Sequence, residues 1–390
     1  MAPYYMIKRL FLISMIFFTG CSILTPLQKS KFISISNLIE TAKYSEAKDM
    51  IDDMTAGDES SKWPRTWYMK GHLCQTAYMD GAKKNDKRLQ ELYPDQLLLA
   101  FESYEKALAL DERGRLERDV APKFVILANE FQKIGESQFR AKKYADALRA
   151  FETSLKITKS PFLAIETDYN LVYNTALAAY ENKTWSKAIT YFEELHKANY
   201  SVNATHLLFE ATLEKGDTLT AKAFLRDGIK RHNDNEDLVL LLTDLLYNTN
   251  DIEGAVSNLD KVIARNPNNY IFPYTKGLIY QKMGHYNEAI DAYSEALRLA
   301  PDELAIYVNI ATSYYNTGVQ IEESTMTLTN NRLVQEQKAR STAAFDSAIQ
   351  WLDKIHGKPI EDQALAQRVY ELYKSLRLSD KAKDIEGYLK

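Results

Sequence analysis

Alanine recurs at a nearly constant interval along this chain, and the interval is too long for a single helix or strand. The step is 34 residues from Ala221 to Ala255 and from Ala255 to Ala289, and it is 34 again from Ala348 to Ala382. A fixed period of roughly 20 to 50 residues is typical of repeat proteins, in which one small structural unit is stacked on the next. The spacing therefore predicts an array of similar units.

The pattern extends, less regularly, over most of the chain. The complete series is Ala47, Ala100, Ala147, Ala188, Ala221, Ala255, Ala289, Ala348 and Ala382. A large apolar residue follows each of the first eight alanines four residues later, as Tyr293 follows Ala289. Residues four apart share one face of a helix, so each pair predicts a buried helical face. The ninth member departs from the pattern, because Glu386 follows Ala382.

The clearest single unit lies between Tyr270 and Pro301. Its sequence, YIFPYTKGLIYQKMGHYNEAIDAYSEALRLAP, predicts two helices separated at Gly284. Gly277 and Ala289 are small enough to let the helices approach closely, and Pro301 ends the second helix because proline cannot continue one. This arrangement resembles the tetratricopeptide repeat, a helix-turn-helix of about 34 residues. An isolated hairpin of this kind cannot bury its apolar face and needs neighbours.

The resemblance covers residues 31–390 and implies an all-α fold, a right-handed α-solenoid (superhelix) of about nine tetratricopeptide-like hairpins. Composition agrees, since 14 glycines and 10 prolines in 390 residues are too few for a sheet-and-turn architecture. A break at Lys159-Ser160-Pro161 divides an irregular front half from a regular back half.

Longer steps between the alanines indicate insertions. GAKKNDKRLQELYPDQ, after Gly71, predicts a helix extension or a crossing between helices, and DERGRLERDVAP predicts a charged connection. The segment near 319–348 lacks glycine and proline and is rich in charged and amide residues, which favours a longer, protruding hairpin. Residues 361–390 are largely polar and suit the terminal cap that a stacked array needs.

The first twenty residues read as an export signal. Lys8 and Arg9 precede an apolar run over 10–18, which is far shorter than the roughly 20 residues of a spanning helix. Gly20-Cys21 after this run resembles a bacterial lipobox. The resemblance implies cleavage before Cys21 and acylation, including palmitate, of the cysteine. Residues 1–20 are thus predicted as a lipoprotein signal peptide and 21–30 as a lipidated tether; an ordinary signal peptide that ends in cysteine is the alternative.

Two or more acyl chains would give stable membrane anchoring. Ser22 after the cysteine, by resemblance to lipoprotein sorting, argues against inner-membrane retention, so the expected location is the outer membrane, facing the periplasm. The combination of lipobox, Tyr- and Asn-rich helices and the long hairpin resembles tetratricopeptide lipoproteins of Bacteroidetes-type bacteria. The formal net charge of −4 gives no basic excess for nucleic acid.

In the tetratricopeptide family, ligands lie in a concave groove lined by positions 2, 5, 9, 12 and 13 of each first helix. Carried over to this sequence, these positions give the candidate partner-binding residues Asn170, Tyr173, Tyr180, Tyr247, Asn248, Tyr274, Gln281, Lys282, Tyr315 and Asn316. Tyrosines beside amides can hold an extended peptide without a fixed charge. The alternative for each tyrosine is packing between repeats. None of these repeats has the lysine and asparagine pair that binds chaperone C-termini.

Sequence motifs for catalysis or metal binding are absent. The six histidines form no HExxH motif and have no paired cysteines nearby, and no phosphate-binding or nucleophile-elbow motif occurs. Glu193 and His196 form an isolated E-x-x-H, which we interpret as two exposed polar side chains because a di-iron site needs two such pairs. Cys74 is interpreted as a small buried hydrophobe. We therefore expect no enzyme activity, no metal and no cofactor.

The sequence thus predicts a membrane-anchored scaffold that binds envelope proteins in its groove. A glycan-binding, nutrient-capture lipoprotein is the alternative, since such proteins also embed these repeats. A hydrolase with a solenoid arm is a third possibility, but no remaining segment is large enough for a catalytic domain.

Overall fold

A computed structural model describes residues 26–389, which are helical with no β-strand among them; the all-α prediction is confirmed. The predicted signal peptide and the lipidation candidate Cys21 lie outside the described residues. The α-helices are α1 (Pro26–Glu40), α2 (Tyr44–Ala56), α3 (Pro64–Lys84), α4 (Lys87–Gln90), α5 (Gln96–Leu110), α6 (Glu117–Arg140), α7 (Tyr144–Thr158), α8 (Tyr169–Glu181), α9 (Trp185–Lys197), α10 (Val202–Glu214), α11 (Thr218–Arg231), α12 (Glu236–Asn248), α13 (Ile252–Arg265), α14 (Ile271–Lys282), α15 (Tyr286–Leu299), α16 (Leu304–Thr325), α17 (Asn331–Asp353), α18 (Gln363–Ser375) and α19 (Ser379–Ile385).

The residues expected to form one solenoid divide into two compact units, one up to Leu171 and the other from Val172 onward. In the first unit α1 pairs with α2, α3 with α5, and α6 with α7, while α4 is a single turn between α3 and α5. In the second unit the helices pair in chain order from α10 with α11 to α18 with α19. Before them, the Tyr173 and Tyr180 rings of α8 lie against Phe192 of α9. Each pair is a helical hairpin, so both units are built from the same local element.

The nine alanines of the periodic series all lie in the second helix of a hairpin and are between 0 and 3% exposed. In four hairpins a large ring from the second helix lies against a glycine of the first. If these glycines carried a Cβ atom, it would lie 2.8 Å from the Tyr104 ring at Gly71, 2.5 Å from the Phe151 ring at Gly135, 2.5 Å from the Tyr293 ring at Gly277, and 2.6 Å from the Phe345 ring at Gly318. Glycine is required there because the ring occupies the space of a side chain.

Seven hairpins share one turn geometry. The two helices are separated by three residues, and the middle one has a positive φ that ends the first helix. These middle residues are Ala42, Lys142, Lys183, Gly216, Asn250, Gly284 and Arg377. Two of these turns also end in an N-cap residue for the second helix: the side chains of Asp217 and Asp251 accept hydrogen bonds from backbone N–H groups in its first turn. The short turn makes the helices of each pair adjacent and antiparallel.

Several predicted boundaries differ from the structure. Residues 26–30, expected as tether, belong to α1, where proline at the first helical position is well tolerated. The second half of the charged segment DERGRLERDVAP forms the start of α6, which accommodates Pro122 in an exposed position near its N-terminus. At the other end α19 stops at Ile385, which is buried beside Ala382 in the place where the pattern has Glu386.

The long hairpin near 319–348 consists of α16 and α17, with 22 and 23 residues, compared with 12 and 14 in α14 and α15. The insertion after Gly71 extends α3 to Lys84 and continues through α4 to the start of α5. Across residues 26–389 we find no helix with the length and apolar character needed to cross a bilayer.

Candidate partner-binding face

The ten residues predicted to line the groove all retain some exposure. Asn170, Asn248 and Lys282 are exposed, and the other seven are half-buried. Asn170 lies at the start of α8, where its backbone N–H donates to the Asp168 carboxylate at 2.9 Å. The remaining nine lie on the first helices of hairpins in the second unit, so a partner could reach that face without unfolding of the repeats.

The tyrosines of α8 are engaged with the next first helix, α10. The Tyr173 hydroxyl accepts a hydrogen bond from Asn203 Nδ2 at 2.6 Å, and its ring centroid lies 5.5 Å from that of Tyr200. Tyr180 donates to Glu210 Oε2 at 2.8 Å. Burial, together with this carboxylate, raises the pKa of Tyr180 to about 12. Both hydroxyls thus join neighbouring repeats.

A similar chain of contacts connects α12, α14, α16 and α18. Lys282 Nζ lies 5.1 Å from the centroid of the Tyr247 ring, a cation–π contact between two of the predicted residues. The Tyr274 hydroxyl accepts a hydrogen bond from Asn309 Nδ2 at 3.0 Å. The same Asn309, which is fully buried, accepts through Oδ1 from the guanidinium of Arg368. One buried amide therefore joins three consecutive first helices.

Other members of the predicted set support packing inside their own hairpins. Gln281 Oε1 accepts a hydrogen bond from the buried Tyr293 at 2.6 Å, and the Tyr315 ring packs 5.5 Å from Phe345. By contrast, the side-chain amides of Asn248 and Asn316 have no hydrogen-bond partner among residues 26–389. The face therefore contains both groups used in packing and groups available to a ligand.

The interpretation of His196 as an exposed polar side chain is wrong. His196 is 4% exposed, with Nδ1 2.9 Å from Thr205 Oγ1 and Nε2 2.9 Å from Asp227 Oδ2. His232 Nε2 reaches the same threonine hydroxyl at 3.2 Å. This network joins α9, α10 and α11 inside the second unit. Its members are too far apart in sequence, and too ordinary in type, to form a recognisable motif.

No group of three or more His, Cys, Asp or Glu side chains within the described part of the chain is placed to hold a metal ion. Cys74 is fully buried, and burial raises the pKa of its thiol to about 12, which confirms its interpretation as a structural residue. Sequence analysis missed Asn309, Arg368 and the network around His196, because none of these residues belongs to a periodic or spaced pattern.

Three segments of the chain match models of a known protein family. Tetratricopeptide-repeat models match residues 133–202, 212–271 and 274–303. A comparison with curated protein sequences finds no match.

Solved structures of repeat proteins are also similar to the chain. A tetratricopeptide-repeat protein from Bacteroides fragilis is 19% identical, with 67% of this chain and 98% of that one covered and a TM-score of 0.34. The C-terminal part of a tetratricopeptide-repeat protein from Cytophaga hutchinsonii is 16% identical, with 66% and 93% covered and a TM-score of 0.41. Because these scores are low, the family assignment rests on the repeat models.

Proposed function

Because this chain is a tetratricopeptide-repeat protein, and such repeats serve as scaffolds for protein–protein interaction, we propose that it is a lipid-anchored scaffold of the bacterial cell envelope. It holds extended segments of partner proteins on the first-helix face of its second unit. The observation that carries this proposal is the set of accessible side chains at the ends of α12 and α14 and in the middle of α16: Tyr247 and Asn248, Gln281 and Lys282, and Tyr315 and Asn316.

Residues at the same place in consecutive repeats offer a partner one contact for each hairpin. Amides donate and accept, tyrosine rings provide rigid apolar area, and Lys282 adds one positive charge. A partner in an extended conformation can meet these groups in succession with little rearrangement of the scaffold. This supports a binding surface that spans several hairpins.

Anchoring is supported by the sequence of the leader. The basic residues Lys8 and Arg9, the short apolar run and Gly20-Cys21 fit an acylated export signal. Two or three acyl chains on Cys21 would make membrane association stable. The scaffold would then display its repeats in the periplasm from the inner leaflet of the outer membrane.

Metabolic labelling with a palmitate analogue and membrane fractionation test the anchor. The wild-type chain and a Thr25→Ser control should incorporate label and sediment with outer membranes, whereas Cys21→Ser should do neither. Equal labelling of the Cys21→Ser variant would rule out lipidation at this residue.

Crosslinking and affinity purification from membranes test the face. Asn248→Arg with Asn316→Arg places two large cations on first helices, and Ser294→Arg with Gln350→Arg places the same charge at exposed positions on second helices. The first variant should lose the wild-type partners and the second should keep them. If both variants keep the wild-type partners, this face is excluded as the binding surface. If the wild type itself recovers no protein partner, the scaffold function is excluded.

A further inference from the structure

The first unit contains a cavity of about 580 Å³, which none of the residues of the proposed face lines. Its apolar lining comes from the end of α3, the start of α5, and α6 and α7, and includes Tyr78, Leu97, Phe131, Ile134 and Ala150. Ligand pockets in proteins have volumes of roughly 300 to 1,000 Å³ and are lined mainly by apolar side chains with a few polar groups. Both the size and the lining of this cavity fall in that class.

One wall of the cavity is the inserted segment that follows α4, and it is held in place by a buried glutamine. Gln96 is 3% exposed, and its Oε1 accepts a hydrogen bond from the Tyr93 backbone N–H at 3.1 Å. Its Nε2 donates to the carbonyl oxygens of Cys74 at 2.8 Å and Leu89 at 3.0 Å. The insertion is thereby fastened to α3 and α4 by the side chain that begins α5.

The same segment is fixed at two further points. The Tyr93 hydroxyl donates to Asp52 Oδ1 on α2 at 2.8 Å. At the end of α3, Gly81 lies so close to the insertion that a Cβ there would be 2.8 Å from the Asp86 carbonyl oxygen and from Leu89 Cβ. The wall therefore needs no ligand to be ordered, which lowers the entropic cost of binding.

The mouth of the cavity carries an excess of negative charge. Glu91 and Asp95 are exposed and form no ion pair with any residue of the described chain, while Asp146 is 3.4 Å from Arg149. Three carboxylates thus face one guanidinium among the lining residues. An occupant that carries positive charge beside an apolar group would complement both the interior and the mouth.

We propose that this cavity binds a partner segment that inserts a large apolar side chain and places flanking lysine or arginine residues against Glu91 and Asp95. The site is separate from the first-helix groove. If the family register of positions 2, 5, 9, 12 and 13 is carried over to α6, the groove positions there are Asn129, Gln132, Glu136, Phe139 and Arg140. The cavity is lined by other residues of that helix, Phe131, Ile134 and Gln138. The wall of the site is formed by the insertion after Gly71, which departs from the regular repeat pattern.

Fluorescence anisotropy with the full chain and three labelled peptides tests the proposal. The peptides share Gly-Ser flanks and have the cores KWLK, EWLE and KGSK. The KWLK peptide should bind about tenfold more tightly than either of the others, because only it matches both the apolar interior and the charged mouth. Binding of KWLK should weaken at high salt, since the carboxylates are exposed.

Paired substitutions identify the site. Glu91→Gln with Asp95→Asn should weaken binding of KWLK by about three- to tenfold, and asparagine tolerates the positive φ of 45° at position 95. Glu102→Gln with Glu112→Gln removes the same charge from exposed positions of the first unit outside the cavity and should leave binding unchanged.

Thr153→Trp, at a half-buried lining position, should fill the mouth and abolish KWLK binding while far-UV circular dichroism still shows a folded chain. If this variant unfolds, the paired charge variants still decide the question. The proposal is overturned if no peptide binds, if EWLE or KGSK binds as tightly as KWLK, or if the two paired charge variants behave alike.

Discussion

Gly277→Ala tests directly whether the repeats are held together by rings packed on glycines. A Cβ at position 277 would lie 2.5 Å from Cε1, 2.6 Å from Cδ1 and 3.0 Å from Cγ of Tyr293. Carbon atoms in good contact are about 3.5 to 4.0 Å apart. Either the ring or helix α14 must therefore move by about 1 Å to admit one methyl group.

The Tyr293 ring has little freedom to move. It is fully buried, its hydroxyl donates to Gln281 Oε1 at 2.6 Å, and the Tyr274 ring lies 5.7 Å away. Overpacking a core of this kind costs about 1 to 3 kcal/mol. Alanine recovers up to about 1 kcal/mol because its helix propensity exceeds that of glycine. We expect a net loss of up to about 2 kcal/mol in the free energy of unfolding.

Urea unfolding followed by far-UV circular dichroism measures the effect in two backgrounds. In the Tyr293→Leu variant the ring is gone, so Gly277→Ala should raise stability by up to about 1 kcal/mol through helix propensity alone. Gly277→Ala should therefore lower the free energy of unfolding in the wild type and raise it in the Tyr293→Leu variant. If Gly277→Ala stabilises the wild type, or destabilises both backgrounds equally, the ring does not determine the residue at 277.

Three further predictions concern buried or partly buried residues. Ala289→Leu should lower the free energy of unfolding by about 1 to 3 kcal/mol in a urea titration, because Ala289 is fully buried, whereas Glu288→Leu at the exposed neighbour should have little effect. Burial, and to a lesser extent the charge of Lys123, lowers the pKa of His72 to about 4, below the unfolded value, so protons bind preferentially to the unfolded chain as pH falls. Stability should therefore decrease by about 1 to 2 kcal/mol between pH 7 and pH 5, and His72→Asn should remove that part of the pH dependence in urea titrations. Cys74 should react with a thiol reagent at mildly alkaline pH only in denaturant, and fast reaction of the folded chain would contradict its burial.

The repeat pattern could be predicted from the sequence because it is local and periodic. A small residue such as Ala289 and a ring such as Tyr293 fall on the same helical face whatever the rest of the chain does. The turn at Gly284 could be predicted for the same reason, because glycine favours a positive φ. Lys183 and Asn250 adopt the same left-handed geometry in their turns without being glycine. Asparagine adopts this conformation readily, whereas lysine does not, so neighbouring helices must hold Lys183 in a conformation that its own propensity disfavours.

The contacts between repeats could not be predicted, because they depend on which helices become neighbours. Asn309 sits at no groove position, yet it is the amide that joins Tyr274 to Arg368, which is 59 residues further along the chain. The neighbours of His196 on its own helix predict an exposed polar residue, but contacts with Thr205 and Asp227 on two other helices bury it. Specific polar contacts of this kind carry no periodic signal.

These contacts also restrict where a partner can bind on the first-helix face. The hydroxyls of Tyr180 and Tyr274 are already hydrogen-bonded to adjacent repeats, so a ligand that used them would have to break contacts that stabilise the array. Such an exchange gains little, because a lost hydrogen bond offsets the new one. Asn248, Lys282 and Asn316 can instead form new bonds without breaking any hydrogen bond between repeats. We therefore expect substitutions of Asn248, Lys282 and Asn316 to affect binding with little effect on stability, and substitutions of the bonded tyrosines to affect stability first.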